Sequence, residues 1–126
     1  MIIGLGIDGV EIRRFSAWPN YSKVRLSQVF SAQEIDYALS VPIKAPERFA
    51  ARFAAKEAAY KALAHLMSNQ IPLMAFCSYV SVFNNQDGVP SLIVDFAELQ
   101  LNSNLKIAIS LSHTADLALA IVIAEL

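Results

Sequence analysis

The sequence predicts an α+β fold in a single domain, with an antiparallel sheet and a long central helix. Three observations carry that expectation. The stretch from Pro46 to Met67 is rich in alanine and contains no glycine or proline after its start, which favours a helix of several turns. Short apolar runs bounded by turn residues gather in the second half of the chain, as antiparallel strands do. A length of 126 residues suits one core better than two.

The elements follow in order. Residues 2–7 form a short apolar run that reads as a buried strand ending at Asp8. Ser31-Ala32-Gln33-Glu34 has the pattern of a capping box, with Ile35, Tyr37, Ala38 and Leu39 behind it, so a helix begins there. Val41 to Pro46 interrupts it, and Pro46 suits the first turn of the long helix. Met74 to Phe83 and Val89 to Val94 read as strands around an Asp87-Gly88 turn. Asp95 to Leu101 reads as a short helix. Leu105 to Ser112 alternates apolar and polar residues, and Leu117 to Ala124 is a more apolar strand, with His113 to Asp116 as the turn between them.

Composition excludes several classes of protein. Apolar residues make up 56% and charged residues 17%, against roughly 25% charged in ordinary domains. Disorder is excluded as the main state, because the chain has ample apolar surface to bury. A net charge of −1 excludes a globally basic nucleic-acid binder and leaves room only for a local basic patch. So apolar a chain at this size predicts an additional burial surface, hence an oligomer. The single cysteine, Cys77, permits no intrachain disulfide and implies a reducing compartment. Its apolar surroundings suggest a packing role. The first residues lack the basic segment of a signal peptide, and the longest apolar run is the length of a strand, so a soluble, cytoplasmic protein is expected.

Chemistry is most legible where charges break the burial pattern. Asp8 ends an apolar strand, where a carboxylate must be solvated, hydrogen-bonded or bound to a cation; with Gly9 it also fits a plain turn. Glu57 falls roughly 40° from Phe53 and 60° from Tyr60 on the helical wheel, beside the aromatic stripe rather than opposite it. Either it pairs with Lys61 on the surface or it points into a cleft with that lysine beside it. Arg48, Arg52 and Lys56 recur four residues apart on one stripe, which serves equally as a solvated face or a phosphate-binding row, with Lys44 just before it. Ser110, Ser112 and His113 share a strand end, but no nucleophile elbow or third triad member accompanies them. Two histidines and one cysteine at wide spacing match no zinc pattern, and the glycines match no Walker or dinucleotide loop.

Together these segments resemble one family. The opening Ile3-Gly4-Leu5-Gly6-Ile7-Asp8 is similar to the Gly-x-Gly-x-Asp start of the holo-[acyl-carrier-protein] synthases, the small phosphopantetheinyl transferases. Arg52-Phe53-Ala54-Ala55-Lys56-Glu57-Ala58 is similar to their signature helix, and Ser110-Leu111-Ser112-His113-Thr114 to their C-terminal hairpin. The resemblance covers nearly the whole chain and is weakest from about residue 64 to 84. It implies transfer of 4'-phosphopantetheine from coenzyme A to a serine of apo acyl carrier protein, in a homotrimer, without nucleic acid or membrane. Asp8 and Glu57 become the expected magnesium carboxylates, and Glu57 and Lys61 the expected catalytic residues. Lys44, Arg48, Arg52, Lys61 and His113 become the expected contacts to coenzyme A. Arg13, Arg14, Lys23 and Arg25 become the expected landing surface for the acidic carrier protein. The family's Gly-Thr-Gly turn after the signature helix is replaced here by Ala64-His65-Leu66-Met67-Ser68. That departure leaves one alternative, a relative that binds coenzyme A or carrier protein without efficient turnover.

Overall fold

The computed structural model describes all 126 residues, Met1–Leu126. Strand β1 (Ile2–Glu11) opens the chain and is followed by the short helix α1 (Lys23–Leu26) and by α2 (Ala32–Leu39). The long helix α3 (Ala45–Leu63) comes next, then a single-turn helix α4 (Leu73–Phe76). Strands β2 (Val80–Asn84) and β3 (Pro90–Val94) form a hairpin, and β4 (Lys106–His113) and β5 (Leu117–Glu125) close the chain. β1, β5 and β4 make one antiparallel sheet in that order, and β2 and β3 make a separate two-stranded sheet. The α+β class, the antiparallel sheet and the long central helix agree with the expectation from sequence.

Local chemistry explains the boundaries. The Ser31 hydroxyl accepts from the Glu34 amide and Glu34 Oε1 accepts from the Ser31 amide, so the capping box forms as the sequence predicts. Pro46 lies in the first turn of α3, where its missing N–H costs nothing. Alanines on α3 let the sheet approach closely, and Ala54, Ala58 and Ala62 are fully buried. One face of the main sheet packs on α3 through Gly4, Gly6 and Val10 of β1 and Ala118, Ala120, Val122 and Ala124 of β5. The opposite face has no cover. Leu5 and Ile7 of β1 are 61% and 63% exposed, and Leu119, Ile121 and Ile123 stand beside them across the ladder.

Three local expectations are corrected. The first strand does not stop at Asp8 but runs on to Glu11, because residues 9–11 keep pairing with Leu119 to Leu117. Met74 to Phe83 is only half strand: Pro72 starts α4, Cys77–Tyr79 form a further helical turn, and β2 begins at Val80. Asp95 to Leu101 forms turns instead of a helix, with the Asp95 carboxylate accepting from the Glu98 amide.

The core is also ionic at one point. Glu34 and Lys56 are fully buried and paired at 2.7 Å. Lys56 Nζ also donates to Val29 O at 2.7 Å and Cys77 O at 3.1 Å. Glu34 Oε2 accepts from the Val82 amide at 2.9 Å. One pair thus ties α2, α3, β2, the turn at Val29 and the helical turn at Cys77 together with every strong site satisfied. Cys77 is buried beside it, and burial pushes its thiol up to about 11, which suits packing and not nucleophilic chemistry. No helix is long and apolar enough to cross a membrane.

Candidate active site

β1 and α3 build the centre of the site by backbone contact. A Cβ added at Gly4 would sit 2.2 Å from Ala62 O, and one at Gly6 would sit 1.9 Å from Ala58 O. Two strand residues advance by roughly 6.6 Å and four helix residues by about 6 Å, so strand and helix stay in step. Asp8 is the next residue on the same face, opposite Ala120 of β5. It is the first position along that line where a polar side chain meets the helix.

Three side chains meet there. Lys61 Nζ donates to Asp8 Oδ1 at 2.9 Å and to Ile7 O at 3.0 Å. The Asp8 side chain is only 10% exposed, and its Oδ2 is buried with no hydrogen-bond partner. Glu57, one turn before Lys61, is half-buried. Burial first, then the nearby Asp8 charge, raise the Glu57 pKa above the usual carboxylate range, while Arg14 and Lys61 pull it down. Two carboxylates thus share one place against their mutual repulsion. An orphaned Oδ2 beside a second carboxylate fits a hard divalent cation. No third His, Cys, Asp or Glu joins them, so a cation held there would take its remaining ligands from water or a bound phosphate.

A second cluster lines a cleft of about 250 Å³. Lys44, Arg48, Arg52 and His113 all face it, together with Tyr37, Glu47 and Asn84. Arg48 Nη1 donates to Tyr37 O at 2.7 Å and to Ser40 Oγ at 3.0 Å. Arg52 Nη2 donates to Asn84 Oδ1 at 3.4 Å, and Arg52 Nε is buried without a partner. Burial is the main influence on Arg52 and lowers its pKa. His113 Nε2 lies 3.2 Å from Glu47 Oε1, so the histidine pairs with a carboxylate and not with Ser110 or Ser112.

The structure therefore brings Asp8, Glu57 and Lys61 into one cluster and Lys44, Arg48, Arg52 and His113 into another. Lys61 stands apart from the other expected coenzyme A contacts. Arg13, Arg14, Lys23 and Arg25 are all exposed. Arg13 pairs with Glu11, Arg25 stacks 3.7 Å over the Tyr21 ring, and Arg14 reaches back toward Phe53 and the charge of Glu57. The row of Arg48, Arg52 and Lys56 is split: Lys56 is in the core, because α2 folds over that part of α3 and offers Glu34 as its partner. Lys61 bridges to Asp8 and not to Glu57. Beyond α3 a tight helical turn, Ala64–Leu66, replaces the glycines, and His65 Nε2 donates to Ile3 O at 3.0 Å. Sequence reasoning missed Tyr37, Glu47 and Asn84. A tyrosine inside the capped helix was visible, but nothing local marked Asn84.

This site and fold define a class. The 4'-phosphopantetheinyl transferase superfamily matches residues 4–122, and the chain belongs to that family. A holo-[acyl-carrier-protein] synthase of Treponema denticola is 38% identical over 128 residues, covering 99% of each chain. One from Chloroherpeton thalassium is 33% identical over 122 residues, covering 96% of each. Among solved structures, a holo-(acyl-carrier-protein) synthase from Bacillus anthracis in complex with CoA (3',5'-ADP) superposes with a TM-score of 0.76 at 27% identity, covering 98% of this chain and 96% of that one.

Proposed function

We propose that the chain transfers 4'-phosphopantetheine from coenzyme A to a serine hydroxyl of an apo acyl carrier protein and releases 3',5'-ADP. Family membership supports the reaction class. The observation in this chain that carries the reading is the Asp8–Glu57–Lys61 cluster, with its buried, unpartnered Oδ2. Asp8 and Glu57 would hold a magnesium ion, which when bound offsets the charge of the pyrophosphate. Lys61 is fixed at two points by Asp8 and Ile7, so its charge is preorganised for a phosphate oxygen. Glu57 stands beside Asp8 as a carboxylate that would accept the serine proton directly or through a water. The serine oxygen forms a bond to the pantetheine-side phosphorus, the pyrophosphate P–O bond breaks, and the leaving phosphate departs on 3',5'-ADP. Lys44, Arg48, Arg52 and His113 present a basic cleft for the nucleotide end.

Arg13, Arg14, Lys23 and Arg25 present exposed positive charge to an acidic carrier protein, which mainly raises its association rate. The uncovered apolar sheet face around Leu5, Ile7 and Ile121 supports association of copies, for which the family resemblance implies a homotrimer. A coenzyme A substrate and a free thiol at Cys77 suit the cytoplasm.

The test is incubation with apo carrier protein, coenzyme A and magnesium, read by intact mass. The expected result is a gain of one phosphopantetheine, lost in Asp8→Asn and in Glu57→Gln while the fold is retained. Binding of coenzyme A without any mass gain across several carrier proteins would refute the transferase and leave the binder, to which the altered turn at Ala64–Leu66 would then point.

A further inference from the structure

The two arginines of the cleft share an aromatic support. Arg48 and Arg52 lie one helical turn apart on α3, where two like charges repel. The Tyr37 ring of α2 fills the step between them. The Arg48 guanidinium carbon is 4.1 Å from the ring centroid and that of Arg52 is 4.0 Å from it. The same residue holds both arginines a second time. Its carbonyl accepts from Arg48 Nη1 at 2.7 Å, and its hydroxyl accepts from Asn84 Nδ2 at 3.3 Å, while Asn84 Oδ1 accepts from Arg52 Nη2 at 3.4 Å. The Tyr37 ring thus touches both guanidiniums, and its hydroxyl is linked to Arg52 through Asn84. Arg52 Nε stays buried and without a hydrogen-bond partner within this arrangement. Glu47 and His113 face the same cleft and pair with each other, so they do not neutralise the two arginines directly.

We infer that Tyr37 is a positioning residue: its ring holds Arg48 and Arg52 in a fixed fork that grips the phosphorylated nucleotide end of coenzyme A. The inference rests on the reading of this cleft as the nucleotide site. The physical basis is preorganisation. Arginine loses much rotamer freedom when it grips a ligand, and a ring that stacks on the guanidinium before binding removes that cost from the binding step. The ring also offsets the repulsion between the two cations. Its contribution therefore appears in affinity for the nucleotide and not in the chemical step, which lies at Asp8, Glu57 and Lys61.

The experiment titrates 3',5'-ADP into the wild-type protein, Tyr37→Phe and Tyr37→Leu by calorimetry, and measures transfer kinetics for all three. Tyr37→Leu should weaken 3',5'-ADP binding and raise the KM for coenzyme A by about tenfold, with kcat unchanged at saturation. Tyr37→Phe keeps the ring and should stay within about threefold of wild type, because it loses only one long hydrogen bond to Asn84. Equal affinity in Tyr37→Leu and wild type overturns the inference. So does a Tyr37→Phe protein that loses about tenfold, since the hydroxyl and not the ring would then be at work; this arm stands even if the leucine variant does not fold. A fall in kcat with unchanged KM also overturns it. Failure of the wild type to bind 3',5'-ADP refutes the reading of the cleft itself, a different result from wild-type binding that Tyr37→Leu leaves intact.

Discussion

Replacing Gly6 by alanine tests whether backbone contact sets the geometry of the acidic pair. The new Cβ would lie 1.9 Å from Ala58 O and 2.8 Å from Ala58 C, both backbone atoms that cannot rotate away. Real Cβ atoms essentially never approach closer than 3.0 Å, so strand and helix must part by roughly 1 Å in a close-packed interior. Asp8 is two residues along the strand and Glu57 adjoins Ala58 on the helix, so the displacement falls on the pair itself. Overpacking of this kind costs about 1–3 kcal/mol, and a misplacement near 1 Å lowers a rate by roughly a hundredfold. Gly9→Ala is the matched control. Its Cβ meets Leu119 Cδ2 at 3.2 Å and Leu117 Cδ1 at 3.9 Å, both movable ends of side chains. Urea denaturation gives the stability change, and mass-resolved transfer onto apo carrier protein gives the rate. If Gly6→Ala loses no more stability or rate than Gly9→Ala, then backbone contact does not set the site.

Lys56→Met should cost about 3–5 kcal/mol in urea denaturation, because it leaves the Glu34 carboxylate buried without its cation; a loss below about 1 kcal/mol would mean that water or rearrangement satisfies the acid. Glu57 gives stability a definite pH dependence. Its raised pKa means that the folded protein keeps a proton that the unfolded chain has already released, so without divalent cation stability falls as pH rises through the window above the ordinary glutamate range. Asp8→Asn removes the like charge and should flatten that slope, as should added magnesium; a slope that neither changes would place its cause elsewhere. Ile121→Glu puts a charge at the centre of the uncovered sheet face, opposite Ile7 and Ser110. It should yield monomers by light scattering, and an unchanged assembly would show that copies meet on another surface.

Much of the fold was legible because its strongest signals are local. The capping box at Ser31 and the alanine-rich α3 each depend on residues close in sequence. The failures share one cause. Met74 to Phe83 is apolar enough for a strand, yet Pro72 and the packing of Phe76 on Tyr60, 5.2 Å between ring centroids, favour a helical turn first. Lys56 shares the stripe of Arg48 and Arg52, and only tertiary contact with Glu34 sends it inward. Glu57 could be placed beside the aromatic stripe from the wheel, but its raised pKa depends on Asp8, which lies 49 positions away in the chain. The Gly-x-Gly spacing likewise matched no phosphate loop, for a reason only the structure supplies: both glycines make room for carbonyl oxygens of α3.

The two charged clusters lie on one helix but on different sides of it. At about 100° per residue, Arg48 stands roughly 180° around α3 from Glu57, and Arg52 roughly 140°. A helix with its side chains is about 10–12 Å across, so a single molecule offers its acidic pair and its basic cleft in different directions. Neither cluster faces the uncovered sheet surface. The apolar excess in composition and the uncovered face at Leu5 and Ile7 agree with the proposed homotrimer, in which a site shared between copies would also account for the separated clusters. In such an assembly, one copy would supply Asp8, Glu57 and Lys61 to the pyrophosphate while its neighbour would supply Lys44, Arg48, Arg52 and His113 to the nucleotide. Loss of assembly in Ile121→Glu would on this account abolish transfer although that side chain belongs to neither cluster, whereas an active monomer would require coenzyme A to wrap around α3.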